Sequence, residues 1–457
     1  MKSPAWRIVA FVDLGIDAGR RVAVDPKSPD AWLREVGARV SLKLAGGAGA
    51  PRPVELELDG RRAFEAGVIA ERLGPAEGRA ALLDLVLHDP AFQRTESAWR
   101  GVHFLAEQAG KAVEVEIVAC PRGTLARRFQ ELIHDPVMAG DAEAPALVLL
   151  DFDFSHQTAD LALLQELAAL AAAIPCPLVG AAAPALFGMR YWAHVAGIAD
   201  VTGAWMDAGH APWREFQASD PARWVALTMN RYLQRVPAAV EGSGYQERVD
   251  EARPETFLWG RGVWLVGAAA ARSIREHGHA LDIAGRGGIF SGMPSREYPH
   301  MGDPVALAVE TPLPEMKASE LAWAGLTPLV GVLRRDAVVL SMVVTLFRLK
   351  PGRLTIEGTL AYQITAARIA QSLNAILPRL PRDAEGAMGY LQAELAEALG
   401  PVLGANAAAG VQVGLGGGAA ATEGAAGPGL LEVRVRPAMP LEGKEAEFVY
   451  QLPWHGL

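Results

Sequence analysis

Cysteine is almost missing from this chain. Its 457 residues include two, Cys120 and Cys176, far apart in sequence. That excludes a disulfide framework and any zinc site built mainly on thiolates, and it makes a reduced, cytoplasmic setting the expectation. An excess of basic charge is missing as well. The 43 basic residues face 52 acidic ones, a formal charge of −9. This argues against a nucleic-acid binder that works through a basic face. Long apolar runs are scarce. The best candidate for a membrane span, Leu167 to Met189, has 23 residues without a charge, but Pro175, Pro177 and Pro184 interrupt it. Proline removes a donor and clashes with the preceding turn, so the stretch reads as helix, strand and loop, with no membrane insertion. The apolar run Ile8 to Val12 is too short for a secretory signal and stops at Asp13.

Several catalytic signatures are also lacking. The chain has no G-x-x-x-x-G-K-[ST], no H-E-x-x-H, no C-x-x-C and no G-x-S-x-G. The cluster Gly285-Arg286-Gly287-Gly288 lacks the third glycine of a dinucleotide fingerprint and reads as a turn. The histidines are scattered and show no metal-ligand spacing. No cofactor and no metal is expected. The sharpest enzymatic suspicion is Asp151-Phe152-Asp153, two carboxylates expected just past the C-terminal end of a buried strand. That is where open α/β sheets place their sites. A phosphotransferase of the haloacid dehalogenase type would use such a pair, with a lysine and a downstream acidic pair in support. No lysine occurs between Lys111 and Lys317, and Asp303 has no second aspartate four positions on. Stabilising the transferring group is most of that catalysis. The bland reading, two aspartates at a strand end, is the better one, and the chain is expected not to be an enzyme.

What is present is material for a large core. Hydrophobic residues make up 51% and charged residues 21%, which rules out a disordered chain. At roughly 100–200 residues per domain, the length suggests two to four domains. Residues 1–75 read as a β-rich segment. Arg7 to Leu14 is a short apolar strand, and Asp30 is placed to cap a helix over Ala31 to Val36. Arg39 to Leu44 and Val54 to Leu58 alternate with period two. Residues 76–400 read as an α/β body. Its helices fall at Arg79 to Leu87 and Ala91 to Gln108, where Phe92, Trp99, Val102 and Leu105 share one face. A βαβ unit is expected over Ala146 to Ala181, as a buried run, a helix over Asp160 to Ala173 and a strand at Cys176 to Gly180. Helices are expected at Trp224 to Arg235, Trp259 to His277, Ala361 to Ile376 and Ala384 to Leu399. Strands are expected at Lys111 to Val118, Ala280 to Ile283 and Ala337 to Phe347. Residues 401–457 combine a glycine and alanine tract, Ala405 to Gly429, with closing strands at Leu431 to Arg436 and Glu445 to Leu452. The fold class is α/β, with mixed sheets flanked by helices.

Several stretches, taken in order, resemble the contractile sheath proteins of the bacterial type VI secretion system. Glu96-Ser97-Ala98-Trp99-Arg100-Gly101-Val102-His103 is similar to the W-R-G-L-H helix of the large subunit (TssC-like, VipB-like). Asp153-Phe154-Ser155-His156, with Leu186-Phe187-Gly188, is similar to its E-F-S-H…L-F-G block. Arg231-Tyr232-Leu233, Leu258-Trp259-Gly260, Pro328-Leu329 and Val435-Arg436-Pro437 follow in the family's order. The match runs from about residue 80 to the end. The first segment, through Arg39-Val40-Ser41-Leu42 and Val54 to Leu58, resembles the small sheath subunit (TssB-like, VipA-like). Together they look like a natural fusion of two subunits.

The resemblance implies a structural subunit that polymerises helically with copies of itself around an inner tube protein, on a baseplate, and contracts to propel the tube. It implies terminal strands exchanged between neighbouring subunits. Val9, Phe11 and Val12 at one end, and Phe448, Val449, Tyr450 and Leu452 at the other, are the inter-subunit strand candidates. Trp99, Arg100, Gly101 and His103 are its core motif. A separate small subunit is an open partner. The family's N-terminal helix for an AAA+ recycling unfoldase has no counterpart before Arg79, which puts that partner in doubt. Gly15 to Pro29 and Ala405 to Gly429 are hinge candidates, and the acidic helix Asp383 to Leu399 is a candidate face toward the tube. The sheath of an extracellular or phage-like contractile device shares these mechanics and stays an alternative.

Overall fold

The computed structural model describes residues 5–44, 52–73, 78–404, 407–415, 429–441 and 444–454. Strands β1 (Arg7–Val12), β2 (Val22–Ala23), β3 (Arg39–Leu44) and β4 (Arg52–Glu57) belong to the first segment. Then come β5 (Glu114–Ala119), β6 (Leu147–Phe154), β7 (Leu178–Ala182), β8 (Val225–Met229) and β9 (Arg231–Leu233). Short pairs follow: β10 (Ala239–Val240) with β11 (Tyr245–Gln246), and β12 (Trp259–Arg261) with β9. The body ends with β13 (Ile289–Ser291), β14 (Arg296–His300), β15 (Asp303–Leu307), β16 (Leu326–Gly331) and β17 (Ala337–Leu340). The last strands are β18 (Val411–Leu415), β19 (Gly429–Val435) and β20 (Phe448–Trp454). The helices that matter below are α1 (Ala31–Val36), α2 (Ala66–Leu73), α3 (Arg79–Leu87), α4 (Pro90–Ala109) and α5 (Thr158–Ala173). To these are added α6 (Val263–His277), α7 (Leu360–Ile376) and α8 (Ala384–Ala398).

Nine strands form one mixed sheet in the order β13-β17-β16-β8-β7-β6-β1-β5-β2. The run from β16 to β5 is parallel, and antiparallel strands close both ends. Side chains alternate across a strand, so β1 feeds two cores. Ile8, Ala10 and Val12 join the core under α4 and α6; Val9 and Phe11 join the one under α5. Parallel strands covered on both faces read as apolar runs without alternation, as Ile8 to Val12 of β1 and Leu147 to Leu150 of β6 do.

That same property defeats part of the sequence reading. Trp224 to Arg235 is two strands, β8 and β9, and not a helix. Five consecutive buried residues carry no period that separates a helix from a doubly covered strand. The region from Trp259 begins as β12 before α6 starts at Val263, and Ala280 to Ile283 is loop. The strand at Ala337 stops at Leu340. Helices α1, α3, α4, α7 and α8 and the βαβ unit β6-α5-β7 lie where periodicity puts them. Asp30 precedes α1 but makes no side-chain cap there. It accepts instead from Trp99 Nε1 at 2.6 Å and from the Arg61 amide at 3.3 Å.

The largest correction concerns β1. A strand near the chain's start was expected to offer free edges. Here it pairs in parallel with β5 on one side and β6 on the other, and its residues Ile8 to Val12 are fully buried. Val9, Phe11 and Val12 are therefore interior residues of this fold. The rest of the first segment lies against α3 and α4: Trp32, Leu33, Val40, Leu56, Ile69 and Leu73 share one core with them. Part of the Gly15 to Pro29 hinge candidate is tied down, since β2 pairs with β5 and Arg128 forks onto Asp17. The glycine and alanine tract is not all loop either, because a turn of helix, Ala407–Gly410, and β18 occupy its start. Residues 405–406 and 416–428 of that hinge candidate lie outside the described residues.

Candidate functional site: an interior charge network and an open strand edge

The motif Trp99-Arg100-Gly101-His103 sits midway along α4. Asp89 caps this helix, accepting from the Ala91 and Phe92 amides. Trp99 stacks on Phe64 of the first segment with ring centroids 5.0 Å apart, and its Nε1 reaches Asp30. One residue thus fastens the first segment to the body. Gly101 has a different role. A Cβ there would lie 2.3 Å from the Trp264 indole, so only glycine lets α4 and α6 approach this closely. His103 is part-exposed beside Glu107.

Arg100 leads inward to a buried ion network that sequence reasoning missed. Glu96, fully buried, accepts from Arg100 Nε at 2.9 Å and from Arg235 Nε at 3.0 Å. Arg235 turns its other nitrogens onto Glu247, at 2.5 and 3.2 Å, and Glu247 also accepts from the Ala238 amide at 2.6 Å. His88 Nε2 stands 3.3 Å from Glu247. Burial pushes the Glu247 carboxyl up, but His88, Arg235 and the amide outweigh it and hold the group below the usual range. Breaking a buried pair strands a charge, so the network fixes α3, α4 and the segment after β9 relative to one another. Its members are up to 159 positions apart (88 to 247), which is why no local spacing betrays them.

Asp151 and Asp153 lie within β6, which runs on to Phe154, and not beyond its end. Arg261, at the end of β12, holds both. It forks onto Asp153 at 2.9 and 2.8 Å and reaches Asp151 at 3.2 Å. Burial raises the Asp151 carboxyl against the pull of Arg261. The pair is a structural clamp between β6 and β12, with an arginine where a phosphotransferase would need a free nucleophile. Among the described residues, no group of three or more His, Cys, Asp or Glu is placed to hold a metal ion, and no helix is long and apolar enough to cross a membrane.

The C-terminal candidates lie in a separate three-stranded antiparallel sheet, β18-β19-β20. One face packs on α7. Phe448 stacks on Tyr362 with centroids 4.4 Å apart, and Tyr450 donates its hydroxyl to the Ala366 carbonyl at 3.0 Å. Val449 points the other way and is 48% exposed, and Leu452 is half-buried. Strand β20 pairs with β19 on one side; among the described residues nothing pairs with its other edge. Unpaired N–H and C=O groups on such an edge are a template for another strand. Helix α8 packs Leu391 and Leu395 inward and leaves Asp383 and Glu385 exposed; Asp383 also caps it, accepting from the Gly386 amide at 2.6 Å.

Residues 138–346 match the VipB family, described as EvpB/VC_A0108, tail sheath N-terminal domain. The type VI secretion system sheath protein TssC1 of Pseudomonas aeruginosa is 26% identical over 275 residues, 55% of each chain. The chain thus spans about half the length of this curated relative. Among solved structures, one of the anti-feeding prophage baseplate aligns with 98% of this chain and 94% of its own at 12% identity and a TM-score of 0.47. An extracellular contractile injection system sheath in the contracted state (PVC) aligns with 76% of this chain and 78% of its own, at 8% identity and a TM-score of 0.43. The matched segment runs from before β6 to just past β17 and takes in the Asp151–Arg261 clamp and the Arg235–Glu247 pair. Over that span the chain is similar to a tail sheath domain, and over 275 residues to a type VI secretion sheath protein.

Proposed function

We propose that this chain is a structural subunit of a contractile sheath of the type VI secretion kind, which polymerises around an inner tube and contracts to propel it. The observation that carries the reading is the tail sheath match over residues 138–346. The relative TssC1 supports it. A body fixed by buried clamps, with a small sheet whose outer edge pairs with nothing among the described residues, suits a unit that must be rigid inside and adhesive at one end. In this reading β20 receives a strand from a neighbouring copy along its open edge, with Phe448, Tyr450 and Leu452 holding it to the core beneath and Val449 and Gln451 on the exposed face. A contact repeated without closing gives a helical filament. The acidic face of α8 is the side we assign to the inner tube, and the baseplate is the polymer's end partner. Residues 1–75 serve as a small-subunit-like segment fused to the large one. Their shared core with α3 and α4 supports a single unit, and Trp99 is the bolt between them.

Negative-stain electron microscopy of the full-length chain, expressed alone, tests the proposal. Long hollow tubes are the expected outcome. Removal of residues 445–457 is expected to abolish tubes and leave a folded body by circular dichroism. Tubes that persist without these residues would overturn the role given to β20.

A further inference from the structure

A cavity of about 370 Å³ opens at the N-terminal end of the parallel strands, beside Trp6 before β1 and Glu114 at the start of β5. Trp6, Lys111, Glu114, Arg368, Leu399 and Val402 are on its wall. Arg368 comes from α7 and is only 4% exposed. Its guanidinium lies over the Trp6 ring, 4.3 Å from the centroid. Its Nη1 is fully buried and has no hydrogen-bond partner among the described residues; Glu143 acts on the cation through its charge. Glu114 shares the wall without pairing with it.

A buried guanidinium without an acceptor is costly, because water is lost and nothing replaces it. Other buried arginines have their terminal nitrogens answered: Arg296, whose Nε is also unpartnered, reaches Glu251 and the Glu310 carbonyl through Nη1 and Nη2. Arg235 and Arg261 each meet two carboxylates, and Arg348 donates to four backbone carbonyls. At Arg368 the Trp6 face covers the plane of the cation but gives the Nη1 donors no acceptor.

We propose that this cavity is an anion site that takes a monocarboxylate on an apolar stem. The guanidinium fork matches a carboxylate, and Lys111 adds a second positive charge. Glu114 on the same wall sets the balance against a dianion such as a phosphate. Leu399, Val402 and the Trp6 ring offer the stem an apolar wall, and the volume is in the range of small-molecule sites. The carboxylate comes either from a free small acid or from a side chain of a neighbouring copy.

The test uses the full-length chain with hexanoate as probe and 1-hexanol and hexylamine as controls, read by titration calorimetry and thermal unfolding. Hexanoate is expected to bind once per chain and to raise the unfolding temperature, while both controls do neither. Arg368→Met keeps the stem and removes the charge; it is expected to weaken hexanoate at least about tenfold and to unfold at a higher temperature than the unliganded parent. Arg368→Lys, which keeps the charge but loses the fork, is expected to fall between. Hexanoate binding that survives Arg368→Met, or binding no tighter than 1-hexanol in the parent chain, overturns the proposal. Binding to dispersed chain but not to assembled polymer identifies a neighbouring copy as the donor; binding to both identifies a free acid. The site stands on single-chain geometry, so its failure leaves the sheath reading untouched, and loss of tubes leaves the site untouched.

Discussion

Two strands lie near the two ends of this chain, and in sequence they look alike. Arg7–Val12 and Phe448–Trp454 are both short, apolar and rich in β-formers. Their fates are opposite. The first is the third strand from one end of a nine-stranded sheet, paired on both edges and covered on both faces. The second is an outer strand of a three-stranded sheet, paired on one edge and covered on one face. Alternation is the trace that was available. Ile8 to Val12 has no polar residue on either face, whereas β20 sets Gln451 among its apolar residues. An unbroken apolar strand asks for two covers; an interrupted one asks for one. Position near an end of the chain says nothing about whether a strand lies inside a sheet or at its edge.

The strongest way to break this comparison is to truncate one large side chain in each strand. Phe11 is fully buried and rests on Phe129 with centroids 6.1 Å apart. Phe11→Ala should cost about 3–5 kcal/mol, a large part of a typical domain's stability. Val449→Ala should change stability by less than about 0.5 kcal/mol. Chemical denaturation of both variants checks this. Equal losses would mean that β1 is not the interior strand described.

A second contrast sets the interior ion network against the exposed pairs of the C-terminal sheet. Glu247 is held below its usual range, so its stabilisation is fully present above the unfolded carboxylate pKa, about 4.3. It is lost as pH falls through the lower folded value. Glu247→Gln strands Arg235 and should destabilise the chain by about 3–5 kcal/mol or somewhat less at neutral pH, with a shallower acid limb. Glu447 instead bridges Arg434 and Arg436 at the surface. Glu447→Gln should cost at most about 1 kcal/mol, and less in high salt. Unfolding temperatures followed from pH 7 to pH 3 separate the two, and parallel acid limbs would contradict the assignment.

Much of the scaffold was legible because its period is local. The face shared by Phe92, Trp99, Val102 and Leu105 marks α4, and the alternation in Arg39 to Leu44 marks β3. The Trp99-Arg100-Gly101 motif was legible as a pattern, but its reasons were not. Gly101 is there for Trp264 and Trp99 for Phe64 and Asp30, contacts that only the tertiary fold creates. Asp151 and Asp153 invited a catalytic reading because their partner, Arg261, is 108 positions or more away. A useful sign was present in the arginine itself: Arg261 sits between two glycines beside a wholly apolar helix start, a setting in which a cation needs a carboxylate.

The finest test changes stability least and assembly most. Val449→Lys places a charge on the open side of β20 without touching Phe448 or Tyr450, which hold the strand to α7. Charged residues, lysine above all, are how edge strands are kept from pairing. The variant should unfold within about 0.5 kcal/mol of the parent and fail to form tubes. Cys120 and Cys176 supply the control. Burial pushes both thiols up to about 12, so neither should react with a thiol reagent at pH 8 unless the body opens. Protected thiols together with lost tubes would place the defect at the strand edge alone. Protected thiols with intact tubes would move the contact between copies elsewhere, to the outer edge of β18 or to the acidic face of α8, because a lysine beside an adhesive edge opposes the pairing of a neighbouring strand.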